Sequence, residues 1–268
     1  AKAQHPTMGF TPDGRYGICH CEKGLLRFRV TGPASPVLQR FEAGTVVNAV
    51  PYKAEALLRC SSREANALSL AAKNMAEGSF IFEERPEGLY VHSQGKAAHA
   101  SWIHESVGMS YDGSLYGVSC RDEVSGPLTF NLGLVHGDTE SAEFSVDIRY
   151  PATAKGREIV RTLEERTRAA GLAFHLISDD EPLYLPQESP LIRLLTGSYE
   201  DVTGNPCTLY SMGGGTYARQ MVGKGVAFGA SFPGFSSHAH DCNERASIEN
   251  LKLHAQICLE AMYRMLTA

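Results

Sequence analysis

The segment Ser237–Glu244 carries the densest chemistry in the chain, with two histidines, two acidic residues and a cysteine. Histidine and carboxylate side chains are the usual ligands of zinc. Because His238 and His240 alternate, they cannot both point the same way on a strand, so at most one is a candidate ligand. The alternative is a polar start to the last helix, with Asn243 or Glu244 near the helix dipole.

Two further segments place one polar side chain among turn-forming or small residues. Asp13 lies between Pro12 and Gly14, where an aspartate is either a turn former or a ligand. His99 is surrounded by small residues in the segment 95–101, which leaves room around its imidazole. A packed or surface histidine is the alternative for His99.

A glycine-rich segment, Gly213–Arg219, could receive an anionic ligand. Its three glycines expose backbone N–H groups and let a ligand come close. Arg219 could fork onto a carboxylate, or it could be a surface arginine after a flexible turn. The Lys-Ser or Lys-Thr of a nucleotide-binding loop is missing, which argues against nucleotides.

The cysteines indicate a reducing compartment. There are seven, an odd number with irregular spacing in a long chain, which favours cytoplasmic thiols over a disulfide framework. Cys19-His20-Cys21 suits a strand with both thiols on one face. A zinc site at these residues is the alternative, but the usual second cysteine pair is absent.

Composition limits the class of protein. The 268 residues are 43% hydrophobic and 21% charged, with a net charge of −5, as in an ordinary globular protein. Without a basic run, nucleic acid is not expected as a partner. No apolar run reaches the ~20 residues of a membrane span, and the first residues do not resemble a signal peptide.

Periodicity predicts two kinds of element pattern on either side of Pro186. Residues 25–185 are strand-rich with two long helices, as in an α+β sandwich, and the rest alternates strand and helix. The predicted strands are 15–30, 37–50, 79–84, 89–93, 127–135, 141–149, 173–177, 207–211 and 225–231. The predicted helices are 61–77, 153–170, 189–202 and 246–266.

Together these segments resemble the zinc aminoacylase–carboxypeptidase superfamily, most closely its branch of PepV and Xaa-His dipeptidases. The glycine run before Arg219 is the most specific of them. The segments that carry the resemblance, in family order, are Gly9–Asp13, Glu22–Gly24, Val47–Pro51, Gly95–Ser101, Gly213–Arg219, Val226–Gly229 and Ala239–Glu244.

The resemblance implies a role for each matching residue. Asp13 and His240 resemble ligands of two different zinc ions. Asn48 and His99 resemble lid residues that hold the substrate and polarise its scissile carbonyl, which makes His99 the catalytic candidate. Arg219 and the glycines Gly213, Gly214 and Gly215 resemble the group that holds the substrate's C-terminal carboxylate. His238 has no counterpart.

Two departures from the family pattern stand out. The family's upstream His-x-Asp motif and acidic pair, which supply the general base and further ligands, do not precede Asp13. After Ser101 the family continues with Thr-Pro-Glu and a helix, whereas Trp102 follows here. We therefore expect an N-terminal segment and residues after Ser101 to be missing, and this chain alone to be inactive.

The resemblance implies an incomplete α/β catalytic layer, from 1–25 and 187–268, with an inserted α+β lid domain at 26–186. The intact protein would hydrolyse dipeptides with two zinc ions in the cytoplasm. Deacylation of N-acyl amino acids is one alternative, and a non-catalytic binding or dimerisation module is another. A homodimer is one assembly that the resemblance allows.

Overall fold

The computed structural model describes residues 6–33, 37–51, 53–73, 80–94, 111–239 and 242–268. Within these residues the chain forms a five-stranded sheet, an eight-stranded sheet and a two-stranded hairpin. The strands are β1 (Gly9–Thr11), β2 (Ile18–Glu22), β3 (Gly24–Pro33), β4 (Leu38–Ala43), β5 (Lys53–Leu58), β6 (Phe80–Arg85), β7 (Gly88–Gln94), β8 (Arg121–Asp122), β9 (Gly126–Pro127), β10 (Thr129–Gly137), β11 (Ser141–Tyr150), β12 (Ala173–Asp180), β13 (Leu183–Tyr184), β14 (Leu209–Met212) and β15 (Gly225–Phe228). The α-helices are α1 (Ser62–Lys73), α2 (Gly156–Ala169), α3 (Pro190–Thr203) and α4 (Ile248–Thr267).

The five-stranded sheet joins both ends of the chain. Its order is β1-β15-β2-β13, and β14 also pairs with β2. β1 runs parallel to β15, and β14 runs parallel to β2, while β2 is antiparallel to β15. The carboxyl ends of β1 and β15 therefore meet at one edge, and those of β2 and β14 meet at the opposite edge.

The eight-stranded sheet is antiparallel throughout, in the order β12-β3-β11-β10-β4-β5-β7-β6. β3 alternates buried and more exposed residues, the period of a strand with one face on a core. Its buried face carries Leu26, Phe28 and Val30, and α2 covers this core with Ile159 and Leu163.

Helices α3 and α4 pack on each other and on the five-stranded sheet. Leu195 and Ile257 are fully buried there with Ile18 and Phe228. Pro190 opens α3, Ser189 caps it, and Gly204 ends it in the left-handed conformation with φ 68°. No helix within the described ranges is long and apolar enough to cross a membrane.

The chain crosses between the two sheets at two neighbouring places. Lys23 alone separates β2 from β3, and residues 181–182 separate β12 from β13. Because Leu25 and Asp180 are register partners, the two crossings lie side by side. The division into domains at 25/26 and 186/187 stays a prediction, although strands of the smaller sheet come from 9–22 and 183–228.

The predicted elements differ from the structure mainly in residues 15–58. The strand predicted at 15–30 is interrupted at Lys23, where the chain changes sheets. The strand predicted at 37–50 ends at Ala43, and a loop follows. Strand β5 was not predicted, because Lys53–Leu58 lacks the β-branched residues that mark strands.

Candidate functional site

The turn that carries Asp13 directly follows β1. Asp13 donates its backbone N–H to Thr11 O at 2.8 Å, which fixes a tight turn. Gly14 O then accepts from Ala230 N and Ser231 N at 3.0 and 3.1 Å. The half-buried Asp13 therefore sits beside the loop that follows β15, at the carboxyl ends of two parallel strands, where α/β sheets commonly bind ligands.

The loop after β15 carries the predicted ligand His240. Arg245 closes it, donating its backbone N–H to Ser237 O at 2.9 Å and its Nε to Ser236 O at 3.1 Å. His238 and Asn243 adopt positive φ, 53° and 61°. His240 itself lies outside the described residues, so its encounter with Asp13 stays a prediction.

The described residues do not build a metal site by themselves. No group of three or more His, Cys, Asp or Glu side chains among them could hold an ion. A protein zinc site needs about four ligands, or three and a water. The role of Asp13 as a zinc ligand stays a prediction.

Cys19-His20-Cys21 forms part of the buried strand β2. His20 Nδ1 lies 2.9 Å from Leu185 O, and Cys19 Sγ donates to Cys21 O at 3.4 Å. Burial raises the pKa of Cys19 to about 12, with the Glu22 charge adding to the effect, and raises that of Cys21 to about 11. Both thiols stay protonated near neutral pH, as is usual for buried cysteines in a core strand.

Arg219 forms a buried ion pair with Glu22. Its Nε lies 2.9 Å from Glu22 Oε2, with the carboxylate side chain fully buried and the arginine side chain 11% exposed. Thr216 donates to the same carboxylate from its backbone N at 3.1 Å and from its Oγ1 at 2.5 Å. We call Glu22, Thr216 and Arg219 the junction clamp.

The remaining guanidinium nitrogens of Arg219 donate to backbone carbonyls. NH1 lies 3.1 Å from Glu181 O, and NH2 donates to Lys23 O and, at 3.2 Å, to Gly214 O. Lys23 and Glu181 are the two crossings between the sheets. The predicted role of Arg219 in binding a substrate carboxylate stays a prediction, and in this structure internal partners surround its guanidinium.

The three glycines before Thr216 are not equivalent. A Cβ on Gly215 would come within 2.5 Å of Arg219 Nε, whereas a Cβ on Gly213 would meet nothing within 4 Å. Arg149 donates NH1 to Gly213 O at 3.0 Å. The larger sheet thus also holds this loop.

Asn48 lies exposed on the loop between β4 and β5. Asn131 on β10 supports this loop by donating Nδ2 to Val47 O at 2.8 Å and to Ala49 O at 3.2 Å. Gly133 leaves room for the loop, because a Cβ there would collide with Val47 O. A cleft of about 440 Å³ opens beside the loop.

The structure brings only some of the predicted site residues together. Gly213–Gly215 and Arg219 share one edge of the smaller sheet, and Asp13 lies at the other edge, beyond the far end of β2. Asn48 lies on the larger sheet. His99, like His240, falls outside the described residues.

Sequence reasoning assigned no role to Glu22, Thr216 or Asn131. Glu22 stood in a segment that carried the family resemblance, yet nothing in one sequence shows that it pairs with a residue 197 positions away. The missed signal is chemical, since a carboxylate in the apolar strand Ile18–Glu22 needs a cationic partner.

Comparison with known proteins supports a peptidase-like fold. No protein-family model matches the chain. The chain is 28% identical to the putative dipeptidase YtjP of Bacillus subtilis, over 97% of the chain and 64% of YtjP. Their alignment runs over 301 positions, more than the 268 residues present, so YtjP has internal residues that this chain lacks. Where those residues fall stays a prediction.

Two solved structures share the fold. Aminoacylhistidine dipeptidase from Vibrio alginolyticus matches with a TM-score of 0.54 and 12% identity, over 98% of this chain and 66% of that enzyme. An M20 family metallo-carboxypeptidase from Sulfolobus solfataricus matches with a TM-score of 0.50 and 14% identity, over 97% of this chain and 62% of that enzyme. The chain is thus similar to peptidases over nearly its whole length and spans 64% of the curated relative.

Proposed function

We propose that the protein, in its intact form, hydrolyses dipeptides with two bound zinc ions. The observation that carries the proposal is the position of Asp13, at the carboxyl ends of two parallel strands and beside the loop that contains His240. The similarity to a putative dipeptidase and to a metallo-carboxypeptidase supports the same reaction class.

Asp13 and His240 would each supply one ligand to a different ion. The other ligands and the general base would come from a segment that corresponds to the unmatched part of the relatives. Zinc, when bound, lowers the pKa of a coordinated water toward neutrality. Asn48 and His99 would hold the substrate and its scissile carbonyl from the lid.

The proposed architecture has a catalytic layer from 1–25 and 187–268 and a lid from 26–186. Such a layer can be completed only by further strands and ligands, so we propose that the 268 residues alone do not turn over substrate. All seven cysteines lie in the described part of the chain as thiols, which supports a cytoplasmic location.

The test compares the full-length protein with the 268-residue chain on a panel of dipeptides and N-acetyl amino acids. We expect zinc-dependent turnover of dipeptides by the full-length protein only, with loss on chelation and recovery with zinc. Asp13→Asn should abolish it, and Asp138→Asn, at an exposed turn of the larger sheet, should not.

Three results would contradict the proposal. Preferential turnover of N-acetyl amino acids would indicate the deacylase alternative. No turnover by either protein would favour a non-catalytic module. Robust turnover by the 268-residue chain would show that the metal site is built from its own residues.

A further inference from the structure

We infer that Arg219 is a positioning residue: it locks the two sheets together through the junction clamp and does not contact the substrate's carboxylate. The inference takes the nature of the substrate from the proposed function. The contacts of Arg219 on which it rests do not depend on that function. The observation behind the inference is that internal partners already surround the guanidinium.

The first argument is that internal partners already surround the guanidinium. NH1 and NH2 donate to carbonyls of Lys23, Gly214 and Glu181, whereas Nε makes an ion pair with Glu22 at 2.9 Å without a hydrogen bond. A guanidinium has five N–H donors in a fixed fork, so a bidentate carboxylate would have to displace several of these partners. Displacement would leave the fully buried Glu22 carboxylate without its cation, which is costly.

The second argument is position in the sheet. Glu22 ends β2, and the clamp lies at the edge where β2 and β14 end. Asp13 precedes β2 at the opposite edge. The five residues of β2 span roughly 15 Å at ~3.3 Å per residue, which is long for one dipeptide to bridge.

The third argument is what the clamp joins. Arg219 reaches both crossings, at Lys23 and Glu181, from a loop that belongs to the smaller sheet. Arg149, on the larger sheet, is held by Asp147 at 2.6 Å and donates to Gly213 O. The carbonyls of Gly213 and Gly214 therefore face arginines. A trans peptide points its N–H opposite to its C=O, so the N–H groups of Gly214 and Gly215 point away from these arginines.

Arg219 would thus act through the glycine loop, by fixing the direction of these amides and the angle between the sheets. The consequence for catalysis is specific. Loss of the clamp should impair all substrates alike, whereas loss of a direct carboxylate contact should impair only substrates with a free carboxylate.

The test uses the full-length zinc-loaded protein with Glu22→Gln, Arg219→Lys and, as a matched surface control, Arg157→Lys on α2, which is exposed. For each variant, kcat/KM is measured for a dipeptide and for its C-terminal amide. We expect Glu22→Gln and Arg219→Lys to lower both values by the same factor, about 10-fold or more, and to leave their ratio within about 3-fold of wild type. The double variant should be no worse than the poorer single variant, because both remove one coupled unit.

Hydrogen exchange of the metal-free protein gives a readout that does not depend on activity. Both clamp variants should accelerate exchange of the Thr216 amide, which donates to Glu22, and of amides next to Lys23 and Glu181. If the other variants do not fold, Thr216→Val serves instead. It removes the hydroxyl's bond to Glu22 and the bond that the hydroxyl accepts from Ala218 N, and it should accelerate exchange of the same amides.

A dipeptide-to-amide ratio that falls about 10-fold or more in Arg219→Lys, but not in Glu22→Gln, would overturn the inference in favour of direct contact. Unchanged exchange in both clamp variants would also overturn it. If the full-length protein cleaves no dipeptide, the proposed function fails, and the exchange measurement still decides the clamp.

Discussion

At the scale of single residues, Gly215 is constrained by the arginine four positions after it. Its absent Cβ leaves the space into which Arg219 Nε folds to reach Glu22. The glycine run looks like a ligand-binding loop in the sequence. In the structure, packing against Arg219 requires a glycine at position 215. That requirement depends on Glu22, far away in the chain.

We predict that Gly215→Ala destabilises the protein by about 1–3 kcal/mol, because the Nε atom is held by its ion pair and cannot move aside. Gly213→Ala is the matched control, since its Cβ would meet nothing within 4 Å. The free energy of unfolding in urea measures both. Equal stability of the two variants would contradict the packing role of Gly215.

At the scale of elements, the sequence predicted most strands and helices because their periodicities are local. The last helix was predicted at 246–266 and is observed at Ile248–Thr267. Pairing order was not predictable, because β1 finds β15 through contacts across more than two hundred residues. Shorter but still long separations along the chain hide Glu22 from Arg219 and Asn131 from the Asn48 loop.

Helix α4 provides a test of which apolar side chains stabilise the packing around the five-stranded sheet. Ile257 is fully buried in this packing, and Leu259, two residues later, is 66% exposed. We predict that Ile257→Ala costs about 2–5 kcal/mol, whereas Leu259→Ala changes stability by less than about 0.5 kcal/mol. Thermal and urea unfolding check this, and a larger effect at Leu259 would mean that its exposed face is covered in the intact protein.

The loop that carries Asn48 provides a second test at this scale. Asn131→Ala removes the two hydrogen bonds to Val47 O and Ala49 O. If Asn48 holds the substrate, we expect kcat/KM for a dipeptide to fall about 10-fold, as for ~1.4 kcal/mol. Thr129→Ala, exposed on the same strand, should leave kcat/KM unchanged. Equal activity of both variants would contradict the proposed role of the loop.

At the scale of the whole molecule, several buried groups must stay neutral for the fold to persist. Burial raises the pKa of Cys19 and of Tyr210 to about 12 and that of Cys21 to about 11, and it also raises the pKa of Tyr16. Above about pH 9 the unfolded chain releases these protons while the folded chain keeps them. Stability is therefore full below about pH 8 and declines as pH rises toward 12.

We predict that the urea midpoint falls between pH 8 and pH 10.5, with Cys19 alone contributing on the order of 2 kcal/mol. Cys19→Ala should flatten this dependence, and Cys242→Ala, at an exposed position, should not. A midpoint that does not change over this range would contradict the burial of these thiols and phenols.

The pairing of β1 with β15 also has a consequence for biosynthesis. The larger sheet is complete once the ribosome has passed Asp180, but Phe10 finds its partner only after Val226 has been made, and Ile18 finds its partners only after Leu209 and Phe228. At ~5–20 residues per second, these apolar strands wait roughly 10–40 s after their own synthesis. The nascent chain thus presents β1 and β2 before their partners β15 and β14 exist, beside an already folded neighbour, and chaperones would be expected to shield this segment.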